Sequence, residues 1–264
     1  MTPRPPRLSD AVENWEAEEL FYIVKHGVKF TGMPAWPTQQ RDDEVWAVTA
    51  FLQTLPETDA DAYQQLVHGK DAVHDHGATD IEPSGASHQL VAQCIRCHGV
   101  EGQGRGRGAF PKLAGQSAAY LRDTLAAYRD NSRPSGARAP LDAGLSDEAI
   151  AQIADHYAGH DAATSSAANL SSEVIAQGKE LASNGLPDRN VPACIGCHGP
   201  SEKPRNPYYP RLNGQYADYL EQQLKLFRQG VRGGGEYEHL MRDVAANLTD
   251  QQIKALAAYY AAGR

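Results

Sequence analysis

Cysteine and histidine carry the chemistry of this 264-residue chain. Its 4 cysteines fall in two copies of one pattern, Cys94-Ile95-Arg96-Cys97-His98-Gly99 and Cys194-Ile195-Gly196-Cys197-His198-Gly199. Two thiols three residues apart on one turn of chain can form thioether bonds to the two vinyl groups of a haem, and the adjacent imidazole can then bind the iron from one face. The competing readings are a four-cysteine zinc site built from both pairs, a redox-active C-x-x-C, and two local disulfides. Zinc does not require a histidine beside each second cysteine, and a thioredoxin-like motif would sit in a βαβ pattern that this sequence lacks. Duplication of the whole unit therefore points to haem attachment at Cys94, Cys97 and His98, and again at Cys194, Cys197 and His198.

The elements that must position these groups repeat along with them. Pro111-Lys112-Leu113-Ala114-Gly115-Gln116 recurs 99 residues later as Pro210-Arg211-Leu212-Asn213-Gly214-Gln215. A helix stripe follows in each copy: Tyr120, Leu121, Leu125, Tyr128 and Arg129 match Tyr219, Leu220, Leu224, Phe227 and Arg228, with apolar spacings of three and four. At an offset of 103, Leu145, Ile150, Ala154 and Tyr157 match Leu248, Ile253, Ala257 and Tyr260, and Thr249 with Gln252 forms a capping-box signature. The pattern predicts two similar all-helical modules in tandem. A module of roughly 80 residues with few aromatics buries little surface by itself. Folding is therefore expected to depend on covalent attachment of a large apolar plate.

Composition narrows the partners. With 33 Asp and Glu against 25 Lys and Arg, the net charge of −8 opposes nucleic-acid binding, because phosphates are repelled. Apolar stretches such as Leu20 to Val24 or Val45 to Leu55 fall far short of the roughly 18–20 residues a membrane span needs.

Residues from about 86 to 264 resemble the two-haem cytochromes c of the c-four type, through the paired C-x-x-C-H-G units, the P-x-L-x-G-Q segments and the final L-S/T-D helices ending in tyrosine. The resemblance implies an all-α fold of tandem class I cytochrome c domains, residues 86–165 and 166–264, each a small helical fold around covalently attached haem c (heme c). It also implies a periplasmic electron carrier whose irons are held by His98 and His198 on one side and by methionine on the other. In that family the ligand methionine lies in the loop before the third helix, a position that Met241, seven residues before Leu248, occupies in the second copy. A Met241 with no ligand role is the alternative. A thioether ligand favours ferrous iron and raises the reduction potential. Pro111 and Pro210 correspond to the family's proline whose carbonyl orients the proximal imidazole, although a plain turn would leave the same residue.

The first copy departs from this pattern. Seven residues before Leu145 stands Arg138, and the loop from Ser132 to Gly144 contains no Met, His, Lys, Tyr or Cys. A guanidinium stays protonated and offers no lone pair, so the first haem is expected to be five-coordinate, water-bound or ligated from elsewhere. Its potential should differ from that of the second, and it should offer a place for small ligands. His88, His156 and His160 sit near helices that in the resembling fold pack away from the distal face, and are read as ordinary partly exposed histidines.

Residues 1–56 form a separate segment. Asp10 with Glu13 reads as an N-cap and its box partner, Leu20 to His26 as helix, Asp42 to Leu55 as another, with a Gly32-Met33-Pro34-Ala35-Trp36 turn between them. The segment resembles the C-terminal part of a further cytochrome c domain, in which such a turn presents Met33 as an axial ligand and the D-D-E-V-W-A-V helix closes the fold. Its own C-x-x-C-H is missing, and the start MTPRPPRLSD carries neither a secretory signal nor a lipid-anchor signature. Haem attachment needs an exported, oxidising setting. A longer reading frame with a signal or anchor and a third haem motif is therefore expected, the alternative being a plain helical extension whose Met33 fills a turn.

Residues 57–85 carry Asp, His, Gly and Pro with little periodicity and read as a linker, with His68, His74 and His76 as solvated histidines. Gly102 to Gly108 reads as a loop beside the haem edge. Residues 86–145 hold eight Arg or Lys against four Asp or Glu, whereas Asp10, Glu13, Glu16, Glu18 and Glu19 form an acidic patch, a polarity that can steer redox partners to opposite ends. The expected function is single-electron transfer, without catalysis, from a dehydrogenase or cytochrome donor towards a terminal oxidase. A peroxidase-like enzyme working at an open first haem is the rival, weakened by the absence of His or Gln from that loop. Membership of a larger dehydrogenase or oxidase complex would share the chemistry and change only the partner.

Overall fold

The computed structural model describes residues 6–68, 87–104, 110–163, 170–200 and 205–263. Among the described residues the α-helices run in order α1 (Leu8–Ala11), α2 (Ala17–His26), α3 (Asp42–Thr54), α4 (Ala60–His68), α5 (Ser87–His98), α6 (Ala118–Arg129), α7 (Ala139–Asp142), α8 (Asp147–Ala158), α9 (Ser172–Asn184), α10 (Ile195–His198), α11 (Ala217–Arg228), α12 (Glu238–Ala246) and α13 (Asp250–Ala261). The described β-pairing is one isolated bridge between Leu186 and Val191. No helix among the described residues is long and apolar enough to cross a membrane. The chain divides into two compact units, Met1–Ile81 with Pro134–Ala143, and Glu82–Arg133 with Gly144–Arg264.

In the first unit the N-terminal capping differs from the sequence expectation. Asp10 lies inside α1, and the box is built at Glu16, whose carboxylate accepts the Glu19 N–H while the Glu19 carboxylate accepts the Glu16 N–H at 3.0 Å. Acidic side chains suit the positive end of α2, which is why glutamate can cap here in place of aspartate. Helices α2 and α3 bury Leu20, Val24, Val45 and Thr49, and stack Phe21 on Trp46 at 4.4 Å. Helix α4 stands where the sequence suggested irregular linker, its residues Asp61 to His68 following the Asp59 side chain that accepts the Ala62 N–H at 2.7 Å.

Residues Pro134–Ala143, which chain order places before the third helix of the first copy, cluster instead with this unit. The Glu44 carboxylate organises the contact. It accepts the Ser135 hydroxyl at 2.6 Å, the Gly136 N–H at 2.7 Å and the Trp36 indole N–H at 3.0 Å, while Arg41 donates to the Pro134 carbonyl at 2.8 Å. Only glycine fits at position 136, because an added Cβ would lie 2.1 Å from the Trp36 indole nitrogen. Glu44→Ala strips the Ser135, Gly136 and Trp36 donors of their acceptor, breaks the 3.2 Å ion pair with Arg41, and is expected to cost about 2–4 kcal/mol, read as a lowered urea midpoint by tryptophan fluorescence. Glu44→Gln, which keeps two acceptor lone pairs, should recover part of that loss.

The second unit holds both copies of the repeat. In the first, α5, α6 and α8 bury Val91, Cys94, Leu121, Ile150, Ile153 and Tyr157. In the second, α9, α11 and α13 bury Ile175, Leu181, Leu220, Ile253, Leu256 and Tyr260. Side-chain caps start α8 and α13 at equivalent places, where Ser146 accepts the Ala149 N–H at 3.2 Å and Thr249 with Gln252 closes the anticipated box; Ser117 caps α6 by accepting the Tyr120 N–H at 3.1 Å, whereas its counterpart Tyr216 gives α11 no side-chain cap. The repeat extends to polar ties. Arg129 donates to the Leu145 carbonyl and pairs with Asp147, as Arg228 donates to the Leu248 carbonyl and pairs with Asp250.

Candidate haem-binding sites

Each C-x-x-C-H motif ends a helical segment, α5 in the first copy and the short α10 in the second. Gly99 and Gly199 follow at φ +77, in the left-handed region that a glycine enters without a Cβ clash, and their N–H groups bond back to the Ile95 and Ile195 carbonyls at 2.9 and 3.0 Å. The helix therefore stops one residue after the histidine, which leaves the imidazole at its end.

The imidazoles are held alike. His98 Nδ1 lies 2.8 Å from the Pro111 carbonyl and His198 Nδ1 lies 3.0 Å from the Pro210 carbonyl. A carbonyl only accepts, so Nδ1 carries the proton in both rings and Nε2 keeps its lone pair for a metal. The two histidines are 7% and 8% exposed. Burial pushes the His198 pKa below its ordinary value, helped by the Arg205 charge and opposed by the Pro210 bond, and so favours the neutral form that ligates iron. None of the four cysteines is in a disulfide, and burial raises the Cys194 thiol to about 11. Two thiols and a neutral, oriented imidazole on one turn form the donor set that covalent haem attachment requires. Among the described residues no cluster of three or more His, Cys, Asp or Glu is placed to hold a metal ion.

Met241 lies in α12, half-buried, where a loop was expected. Tyr237, the cap residue of that helix, packs edge-on against Tyr209 at 5.2 Å, and the Tyr209 ring lies 6.2 Å from that of His198. An aromatic link thus runs from the second histidine to the start of the methionine's helix. Arg138 in the first copy caps α7 and pairs with the buried Asp142 at 2.9 Å, so the residue at the methionine position is committed to a carboxylate. Met33 occupies the turn between α2 and α3 and is 39% exposed. The His156 ring is engaged through Nε2 with the Val100 carbonyl at 2.8 Å and packs edge-on against His160. The side chains of His68, His74, His76 and His88, and residues 105–109 of the Gly-Arg tract, lie outside the described residues.

One functional feature was invisible in the sequence. The Gln116 amide donates to the Arg211 carbonyl at 2.7 Å and accepts the Arg211 N–H at 2.9 Å, while the Gln215 amide accepts the Lys112 N–H at 2.9 Å and donates to the Lys112 carbonyl at 3.0 Å. Each glutamine thus completes both backbone groups of the residue that follows the other copy's imidazole-orienting proline. The periodicity marked these glutamines as landmarks, but not as reciprocal partners. Gln215→Leu removes the bonds that this side chain makes to the Lys112 N–H and carbonyl and is expected to lower the thermal stability of the haem-loaded chain by about 2–4 kcal/mol with the haem count unchanged.

Family comparisons agree with this arrangement. A model described as "Cytochrome c" matches residues 85–158 and 175–261, and one described as "Cytochrome C oxidase, cbb3-type, subunit III" matches residues 4–52. The chain is 34% identical over 181 residues to the thiosulfate dehydrogenase electron acceptor of Stutzerimonas stutzeri, covering 69% of this chain and 83% of that protein. It is 34% identical over 185 residues to cytochrome c4 of Pseudomonas aeruginosa, covering 70% and 89%. The crystal structure of reduced recombinant cytochrome c4 from Pseudomonas stutzeri superposes with a TM-score of 0.60 at 32% identity, over 70% of this chain and all of that one. Two domain matches within one unit, paired thiols and carbonyl-anchored imidazoles converge: the chain belongs to the cytochrome c family, as a two-domain cytochrome of the c4 type whose cofactor is covalently attached haem c.

Proposed function

We propose that this chain is a periplasmic two-haem electron carrier in which electrons enter at one haem, cross to the other and leave for a respiratory partner. The observation that carries the reading is the duplicated pairing of His98 with Pro111 and of His198 with Pro210. Cys94 and Cys97 would hold the first haem and Cys194 and Cys197 the second, with His98 and His198 as proximal iron ligands and Met241 as the distal ligand of the second. Haem, when bound, supplies reversible one-electron exchange at its iron. The chain's own residues orient the imidazoles, exclude water and present a docking surface. A sulfur-compound or other dehydrogenase is the donor class suggested by the relative named a thiosulfate dehydrogenase electron acceptor, and a terminal oxidase is the acceptor class.

The test is maturation in an exporting bacterium with haem-ligation machinery, followed by mass spectrometry, a haemochrome spectrum and mixing with a reduced dehydrogenase. Two haems per chain, both reduced by the donor and both reoxidised by an oxidase, are expected. A colourless chain at bare polypeptide mass overturns the proposal.

The Arg138–Asp142 ion pair favours a second reading for the first haem, since the residue at the methionine position is turned to a carboxylate. An open iron position there would support peroxide reduction with electrons delivered by the second haem. Peroxide turnover by the reduced protein, abolished by cyanide, distinguishes this reading from pure electron carriage.

A further inference from the structure

Met241 sits on a helix whose start the local sequence leaves loose. The run Gly233-Gly234-Gly235 leads into α12, and consecutive glycines impose no direction on the chain that follows them. Tyr237 caps α12 one turn before Met241, and side chains four residues apart share a helix face. Whatever holds the Tyr237 ring therefore also sets the direction in which α12 offers its thioether.

Two rings hold it. Tyr209 packs edge-on against Tyr237 at 5.2 Å, and Tyr208 lies tilted against it at 6.2 Å. Both tyrosines belong to the segment that grips the second imidazole. Arg205 donates to the His198 carbonyl, the Pro210 carbonyl accepts from His198 Nδ1 at 3.0 Å, and the Tyr209 ring lies 6.2 Å from the imidazole. The segment is itself pinned. The Asn206 side-chain oxygen accepts the Tyr208 N–H at 3.0 Å, the Asn206 carbonyl accepts the Tyr209 N–H at 3.0 Å, and the Ser117 hydroxyl donates to the Pro207 carbonyl. One fixed turn thus bears on both residues read as axial ligands of the second iron, on His198 directly and on Met241 through Tyr237.

The first copy has no such pairing. Phe110 stands where the second copy has Tyr209, but the counterpart of Tyr237 is Pro134, four residues before Arg138. Proline offers no aromatic face, and the Pro134 carbonyl accepts from Arg41 at 2.8 Å. The ring contact and the methionine are absent together, from the same copy.

We propose that Tyr237 is a positioning residue for the second iron: braced by Tyr209 and Tyr208, it keeps the Met241 thioether directed at the iron that His198 holds and so excludes competing ligands. The brace makes the two sites unequal. The second iron keeps its protein sulfur, and the first copy lacks both the sulfur and the ring that would steer it.

This inference rests on the haem attachment and the Met241 ligation proposed above, so the haem count and the sulfur-to-iron charge-transfer band are measured first. A band that survives Met241→Leu refutes that ligation and the brace with it. Imidazole is then titrated into the ferric two-haem protein, with loss of the band as the readout, for the parent, Tyr237→Ala and Tyr237→Phe. An aromatic pair contributes enough to move such a competition about 3–10-fold, so Tyr237→Ala should lose half its band at an imidazole concentration about 3–10-fold below the parent's. Tyr237→Phe keeps the ring and should titrate like the parent. A ring that only added stability would lower the melting temperature and leave the imidazole titration unmoved, and that result overturns the brace alone. A Tyr237→Phe titration matching that of Tyr237→Ala overturns it too. If Tyr237→Ala fails to mature, a crystal structure of the parent holoprotein decides: Tyr209 and Tyr237 centroids within about 7 Å, with the Met241 sulfur on the iron, support the brace, and centroids farther apart overturn it.

Discussion

Replacing Cys194 and Cys197 together by alanine is expected to yield a chain that carries a single haem and no longer folds its second module. The core formed by α9, α11 and α13 centres on Leu181, Leu220, Leu256 and Tyr260, with Cys194 packed at its margin. Tyr260 in that core has a buried hydroxyl with no partner among the described residues. A module of roughly 80 residues buries only about 60–65% of its unfolded surface and starts close to zero net stability. Covalent haem adds both apolar contact and iron ligation, which for structural metals amounts to roughly 10 kcal/mol or more, comparable with the whole stability of a domain. The change is read as a mass deficit of one haem and a halved haemochrome absorbance, with loss of the helical circular dichroism contributed by α9 to α13. A variant that kept the parent's cooperative unfolding would show that the helices alone suffice.

Met241→Leu is expected to leave both haems attached and to lower the potential of one of them by about 0.1–0.3 V, well inside the roughly 0.8 V that axial ligation commands. Leucine conserves volume, so α12 should keep its packing, and the cost in stability should stay below about 1.5 kcal/mol apart from the lost iron bond. The thioether stabilises ferrous iron, so its removal moves the equilibrium towards ferric and the midpoint downward. The sulfur-to-iron charge-transfer band of the oxidised protein should vanish entirely, because Met33 and Met1 are the other methionines in the chain and the first copy carries Arg138 at the corresponding place. A band that survives Met241→Leu would transfer the ligand role to Met33. A band of twice the one-ligand intensity in the parent would show that the first iron also has sulfur.

The two results read different layers of the molecule. Cysteine pairing acts locally: three side chains within five residues already contain the attachment chemistry, which is why the motifs, their helical flanks and the 99-residue repeat could be read without coordinates. The proline that fixes each imidazole was legible for the same reason, since it recurs 13 and 12 residues beyond its histidine and the carbonyl meets Nδ1 in both copies. Local patterns failed where several starts competed. Asp10 and Glu13 imitate a capping pair, but Glu16 and Glu19 made the reciprocal bonds. They also failed for the segment holding Met241, which is helical although nothing in its short amphipathic run separates helix from loop.

By itself the sequence determined the donors, their spacing, the helical class and the duplication, because each of these is a property of neighbours along the chain. Tertiary structure alone decided which distant groups meet. It crossed Gln116 and Gln215 between the copies, gathered Arg133 and Arg232 on the Gln223 side-chain oxygen, and assigned Pro134–Ala143 to Glu44 of the N-terminal unit. The physical reason is that buried hydrogen-bond partners are chosen by the closing of backbone and side-chain valences in space, and a glutamine, an arginine or a glutamate reads the same in the sequence whether it faces water or completes a neighbour.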